Sequence, residues 1–165
     1  MITNFIDYIG IDENLPTNIK YFKEDLFDTV FSKKDETTKI HTIISISVDC
    51  KINSIKLVNT SSRTSNEGQR LSGKKLLVEV KLSYRIKYTT DTKERYLCIL
   101  KTSHTKIIYI VVPKEVNGFK IEDLVRKNKV SVETYVEDLY ISSRGPSSVY
   151  IRTLLLLNAR VKIPM

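Results

Sequence analysis

The sequence predicts a mainly β protein: an antiparallel two-sheet β-sandwich with an N-terminal extension and at most one or two short helices. Three patterns support this fold class. Apolar and polar residues alternate from Leu76 to Tyr88, and a second alternation begins at Thr42. A period of two is typical of a strand with one face on a core. Residues 154–157 are all leucine, which is typical of a strand with apolar residues on both faces.

The first 39 residues differ from the rest, so we divide the chain into an N-terminal extension over residues 1–39 and a β-sandwich domain over residues 40–165. The extension contains four of the five phenylalanines, Phe5, Phe22, Phe27 and Phe31. Two interpretations fit it. One is a helix capped by Thr17 or Asn18, with a single apolar face formed by Ile19, Phe22, Leu26 and Val30. The other is an extended arm. The polar run at residues 32–39 predicts an exposed loop.

The first strand of the domain runs through alternating apolar residues to Ile52, and the alternation changes phase after Asn53. Such a shift predicts either a bulge or a bend at which the strand changes sheet. Residues 59–73 are rich in Ser, Thr, Asn and Gly and predict a loop. The long strand at 76–88 follows, and residues 89–94 predict a hairpin connection.

Two further strands are predicted at residues 96–100 and 107–112, separated by a loop around His104. Asn117-Gly118 predicts a turn, and the spacing of Ile121 and Leu124 predicts a short helix. Residues 130–141 and 149–161 predict the last two strands. The leucine run in the final strand is expected either at the centre of a two-layer core or partly buried by another molecule.

No pattern of catalytic, cofactor-binding or metal-ligating residues is present in the sequence, so we do not expect an enzyme. The two histidines, His41 and His104, have no carboxylate or cysteine at ligand spacing. Glu137 and Asp138 are adjacent, and in a strand their side chains point to opposite faces, which makes them poor acid–base partners. Phosphate-binding glycine loops and nucleophile elbows are also missing.

The net charge of +8 has two interpretations. Lys81, Arg85 and Lys87 fall on the polar face of the long strand, where solvated charges are expected. They could also form a stripe that binds a polyanion or a cell-wall glycan. No aromatic-rich RNA-binding signature, zinc finger or clear helix-turn-helix accompanies them, so we expect no nucleic-acid partner.

The two cysteines, Cys50 and Cys98, are too few for a disulfide framework. One interpretation is that both are small buried hydrophobic residues. The other is that one or both form an intermolecular disulfide in an assembly that later meets an oxidising environment.

The chain contains no run close to the ~20 apolar residues that a transmembrane helix needs. Its first residues include an acidic side chain where a signal peptide needs basic ones. We therefore expect a protein that is made in the cytoplasm without a signal peptide and does not insert into membranes.

Several segments resemble one family. The N-terminal Tyr8-Ile9-Gly10-Ile11 is followed by Leu15-Pro16, and Leu71-Ser72-Gly73-Lys74-Lys75 leads into the alternating strand that ends at Tyr84–Tyr88. This order is similar to the SPOCS-domain family of clostridial spore-coat and coat-morphogenesis proteins. The chain departs from the family pattern at residues 31–38, at Val80 and at residues 102–106.

The resemblance implies a non-catalytic structural protein of the bacterial spore coat or spore surface. Such a protein would act by self-association, as a homo-oligomer or polymer, or by docking to other coat proteins. Strand addition at a sheet edge is one mechanism, and insertion of the N-terminal segment into a neighbour is another. The anchors of that insertion are Phe5, Phe22, Phe27 and Phe31, unless these side chains pack on their own domain. The alternative function is the binding module for a polyanion or glycan.

Overall fold

The computed structural model describes residues 5–35, 37–64, 66, 68 and 70–163. It is mainly β, which confirms the predicted fold class, and one short helix is present in the described part. The strands are β1 (Asp7–Ile9), β2 (Tyr21–Ser32), β3 (Ile40–Asn59), β4 (Arg63–Thr64), β5 (Arg70–Leu71), β6 (Lys74–Thr90), β7 (Leu97–Val112), β8 (Glu115–Val116), β9 (Phe119–Lys120), β10 (Val130–Ser143) and β11 (Ser148–Val161). The helix α1 spans Ile121–Arg126 and confirms the predicted short helix.

Two sheets contain the long strands. Sheet A has the order β1-β3-β6-β7, and sheet B has the order β10-β11-β2. All neighbouring strands in both sheets are antiparallel except β1, which runs parallel to β3. The short strands form two ribbons, β4 with β5 and β8 with β9. The β4–β5 ribbon lies inside the segment predicted as a loop.

Side chains from both sheets share one hydrophobic core. The inward residues of β6, among them Leu76, Leu82 and Ile86, are fully buried. Tyr84 of β6 shares a hydrogen bond of 2.7 Å with Thr153 of β11, which links the two sheets at their middle. Strand β3 lies beside β10, and β7 lies beside β2. The arrangement is sandwich-like.

The predicted phase shift in the first strand is a bulge. The pairing of β3 with β6 changes register between Ile52 and Ser54, and β3 continues in the same sheet to Asn59. The leucine run was predicted either at the centre of a two-layer core or partly buried by another molecule. The first is observed, because β11 is the central strand of sheet B. Leu155 and Leu157 face the core, and Leu156 is almost fully buried on the other face.

The helical interpretation of residues 19–30 is wrong. Residues 21–32 form β2, which pairs with β11 along its whole length. The helical spacing of apolar residues is overridden because the strand buries Phe27 in the core and pairs the backbone groups of one edge with β11. The predicted loop around His104 is also wrong, since residues 97–112 form one continuous strand paired with β6.

The segment between β1 and β2 ties the two sheets together. Gly10 has a φ of +101°, and a β-carbon there would lie 2.3 Å from the carbonyl oxygen of Val48 on β3. Two residues later, the Asp12 N–H donates to the carbonyl of Val136 at 2.8 Å, and its carboxylate accepts the Val136 N–H at 2.6 Å. Val136 stands at the bulge of β10. The N-terminal segment therefore closes the β3–β10 side of the core.

Candidate functional site

The outer face of sheet A carries a basic surface. Lys81 and Arg85 project from β6 on this face, because they alternate with the buried residues of the strand. Lys101 of β7 lies directly opposite Arg85, and Lys51 of β3 lies directly opposite Lys81. We call this group of four cations, Lys51, Lys81, Arg85 and Lys101, the basic face.

A depression of about 600 Å³ is lined by three of these cations, Lys81, Arg85 and Lys101, and Lys51 lies beside it, opposite Lys81. Its floor is made of small hydroxyl side chains, because Ser83 and Ser103 face each other across β6 and β7. Asp49 of β3 continues the same row on the other side of Ser83. Lys81 lies at one end of the depression, and Arg85 with Lys101 lies at the other. Four residues along β6 separate the two ends, a distance of about 14 Å.

The four cations of the basic face have no carboxylate within salt-bridge distance in the described ranges of the chain. Asp49 is the acidic residue that lines the depression. Lys87, the third member of the predicted stripe, lies opposite Ser45 and Ile99, outside the depression. Lys101 and Ser103 were not expected on this face, because the sequence predicts a loop around His104 where β7 continues in register with β6.

A second surface is a groove between the edges of two strands. In the part of the chain that is described, β7 and β2 each pair with a neighbour on one side only. Lys106 of β7 bridges them, with an ion pair to Asp25 at 2.7 Å and a hydrogen bond donated to the carbonyl of Leu26 at 3.3 Å. Beyond this bridge a groove of about 770 Å³ remains open, which we call the edge groove.

Exposed apolar side chains from both strands line the edge groove, together with charged side chains such as Lys23 and Lys75. Phe22 of β2 is 47% exposed, and from β7 Ile107, Tyr109 and Val111 are 48%, 50% and 40% exposed. Isolated exposed apolar residues are common on protein surfaces, but a contiguous group beside two free strand edges is typical of an interaction site.

The four predicted phenylalanine anchors lie in different environments. Phe5 is 86% exposed, and Phe22 lies in the edge groove. Phe27 is 2% exposed in the core of its own chain, with its ring edge-on to His104 at 5.9 Å. Phe31 is half-buried beside Tyr84, with ring centroids 6.0 Å apart. Of the four, Phe5 and Phe22 are therefore open to contact by another molecule.

Cys50 and Cys98 are half-buried free thiols on opposite sides of β6. Their partners on β6, Leu82 and Tyr88, are six residues apart, about 20 Å along the strand, which is too far for a disulfide within one chain. Burial raises the pKa of the Cys50 thiol, which lowers its thiolate fraction and its reactivity. A disulfide between molecules stays a prediction.

The described ranges contain no cluster of metal-ligating side chains. No group of three His, Cys, Asp or Glu side chains there could hold a metal ion. Among the described residues, no helix has the length and apolar character to cross a membrane.

Comparisons with protein families, with characterised proteins and with solved structures find no significant match to this chain. The resemblance to the SPOCS-domain family therefore stays a prediction, and function has to be argued from the surfaces.

Proposed function

We propose that this chain is a non-catalytic structural protein. It associates through the edge groove with copies of itself or with other spore-coat proteins. The observation that carries the proposal is the convergence of exposed apolar residues from β2 and β7 beside two free strand edges. The placement in a bacterial spore coat or on the spore surface rests on the sequence resemblance alone.

The edge groove suits strand addition. The outer edge of β7 carries backbone N–H and C=O groups that an incoming strand could pair, and side chains of that strand would cover Ile107, Tyr109 and Val111. Aromatic and branched apolar residues are common anchors at such interfaces. Lys106 and Asp25 close one end of the groove, so the open part runs along β7 from Ile107 to Val111.

The first test is a concentration series of the purified protein, followed by analytical ultracentrifugation and negative-stain electron microscopy. Wild-type protein is expected to form larger species as concentration rises. Tyr109→Lys should remain monomeric, because a charge replaces a half-exposed anchor in the groove. Tyr140→Lys is the matched control, since Tyr140 is a tyrosine of similar exposure on β10 and lies outside the groove.

Thermal melting of each variant by circular dichroism checks that the fold is unchanged. A wild-type protein that stays monomeric at every concentration contradicts self-association. Pull-downs from sporulating cells with wild-type and Tyr109→Lys bait then test docking to another coat protein. Equal capture by the two baits contradicts the role of the edge groove.

A further inference from the structure

The basic face has an arrangement that folding alone does not favour. Lys51 lies directly opposite Lys81, and Arg85 lies directly opposite Lys101, so two cross-strand pairs of like charge share one sheet face. Like charges in directly opposed positions destabilise a sheet. None of the four cations has a carboxylate partner among the described residues. An anionic ligand would relieve both pairs at once.

The depression between the pairs is lined by hydroxyl groups and one carboxylate. Ser83 and Ser103 form the floor, Ser47 lies beside Arg85, and Asp49 closes the row. Serine hydroxyls both donate and accept hydrogen bonds, and a carboxylate accepts them. This mixture fits the hydroxyl groups of a sugar, while the cation pairs about 14 Å apart fit charged groups at two points along a chain.

The same lining is a poor match to a nucleic acid. Single-stranded nucleic acids bind most often where aromatic side chains offer platforms for base stacking. Among the described residues that line the depression, Tyr84 is the one aromatic, and its side chain points into the core and contacts Thr153. Asp49 would also repel a phosphodiester backbone that ran across the floor.

We propose that the depression on the outer face of sheet A, between Lys51/Lys81 and Arg85/Lys101, binds an acidic polysaccharide. The cation pairs hold two of its anionic groups, and Ser83, Ser103 and Asp49 contact the sugar hydroxyls between them. This site and the edge groove share no lining residue, and they lie at different positions along β7, so the chain has one site for assembly and another for a glycan.

The test measures binding of wild-type protein to polygalacturonate, a carboxylated polysaccharide, by isothermal titration calorimetry at low salt. Dextran serves as the neutral glycan and oligo(dT) as the non-glycan polyanion. Polygalacturonate is expected to bind, dextran is expected not to bind, and oligo(dT) is expected to bind more weakly at equal charge. Binding should weaken as salt is raised.

Three variants locate the site. Lys101→Glu is expected to weaken polygalacturonate binding by about tenfold or more, because it removes one cation and introduces a repelling charge beside Arg85. Lys127→Glu makes the same change of net charge at an exposed position next to α1 and should change affinity by less than about twofold. Ser83→Val removes a floor hydroxyl at constant charge and should weaken binding several-fold.

Three results would overturn the inference: no binding of polygalacturonate by wild-type protein at low salt, equal weakening by Lys101→Glu and Lys127→Glu, and tighter binding of oligo(dT) than of polygalacturonate. Comparing the two lysine variants distinguishes a defined site from general attraction between a basic protein and a polyanion. Comparing the two polymers distinguishes a glycan site from a nucleic-acid site. Tyr109→Lys should bind polygalacturonate like wild type, so failure of the assembly proposal and failure of this one are distinguishable.

Discussion

At the scale of single residues, Tyr84 links the stability of the protein to pH. Its ring is 2% exposed, and its hydroxyl shares a hydrogen bond with the fully buried Thr153. Burial raises the pKa of Tyr84 to about 12, against about 10 in an unfolded chain. The folded state therefore holds the phenolic proton more tightly. The contribution of this proton to the free energy of unfolding is fully present below pH 10. We expect about 2 kcal/mol of that free energy to be lost as the pH rises from 10 to 12.

Urea unfolding of wild type and Tyr84→Phe at a series of pH values tests this linkage. At pH 7 the variant should be less stable by about 1–2 kcal/mol, because Thr153 loses its partner. The difference should shrink or reverse above pH 10, since phenylalanine has no proton to lose. Tyr140→Phe, at an exposed position on β10, should follow the wild-type profile. A stability difference that stays constant from pH 7 to pH 11 would contradict the assignment.

The contact between Tyr84 and Thr153 could not be predicted from the sequence, although each residue was placed in a strand. The two residues are 69 positions apart and belong to different sheets. Their contact depends on how the two sheets face each other, which no local pattern encodes. The requirement for glycine at position 10 could not be predicted either, because it arises from the close approach of Val48 in the folded chain.

At the scale of elements, β2 shows where local patterns mislead. Its apolar residues have helical spacing, yet alternate residues such as Phe27 and Phe31 also share one face of a strand. Pairing with β11 decides between the two, and that pairing is a tertiary contact. Strand β6 was predictable because its alternation admits no helical alternative. Strand β11 was predictable from its leucine run, which is typical of a strand buried on both faces.

Because β2 buries Phe27 in the core and pairs with β11 along its whole length, we expect the protein to depend on this strand for folding. Phe27→Ala should lower the free energy of unfolding by about 3–5 kcal/mol, since it empties a large buried site. Phe5→Ala should have almost no effect, because the side chain is 86% exposed. Thermal and urea unfolding measure both. Deletion of residues 1–39 should give an insoluble, unfolded product, and a soluble folded one would contradict the role of β2 in the core.

At the scale of the whole molecule, register decides which charges meet. The alternation of β6 predicted that Lys81 and Arg85 share a face, and the net charge of +8 had two interpretations, a solvated surface or a site for a polyanion or glycan. Lys101 and Lys51 join that face because β7 and β3 pair with β6 in a particular register. Hairpin register is set by loop geometry and bulges, including the one at Ile52–Ser54, which are not visible in the alternation alone.

This distribution of charge predicts opposite effects of one substitution on stability and on binding. Without ligand, Lys101→Glu replaces a like-charge pair with an ion pair to Arg85, so stability at low salt should rise by about 0.5 kcal/mol. Wild-type protein should itself gain stability as salt screens the repulsion, and the advantage of the variant should then fade. Urea unfolding at low and high salt measures both effects, with Lys127→Glu as the control that should gain less.

A Lys101→Glu variant that is less stable than wild type at low salt would contradict the repulsion between Arg85 and Lys101. An advantage that persists unchanged at high salt would mean that packing, and not charge, is responsible. If stability rises while affinity for polygalacturonate falls, the cations of the basic face reduce stability in the free protein and contribute to binding. A substitution that raises stability and lowers affinity is expected at a binding site. It is not expected on a surface whose charges serve solubility alone.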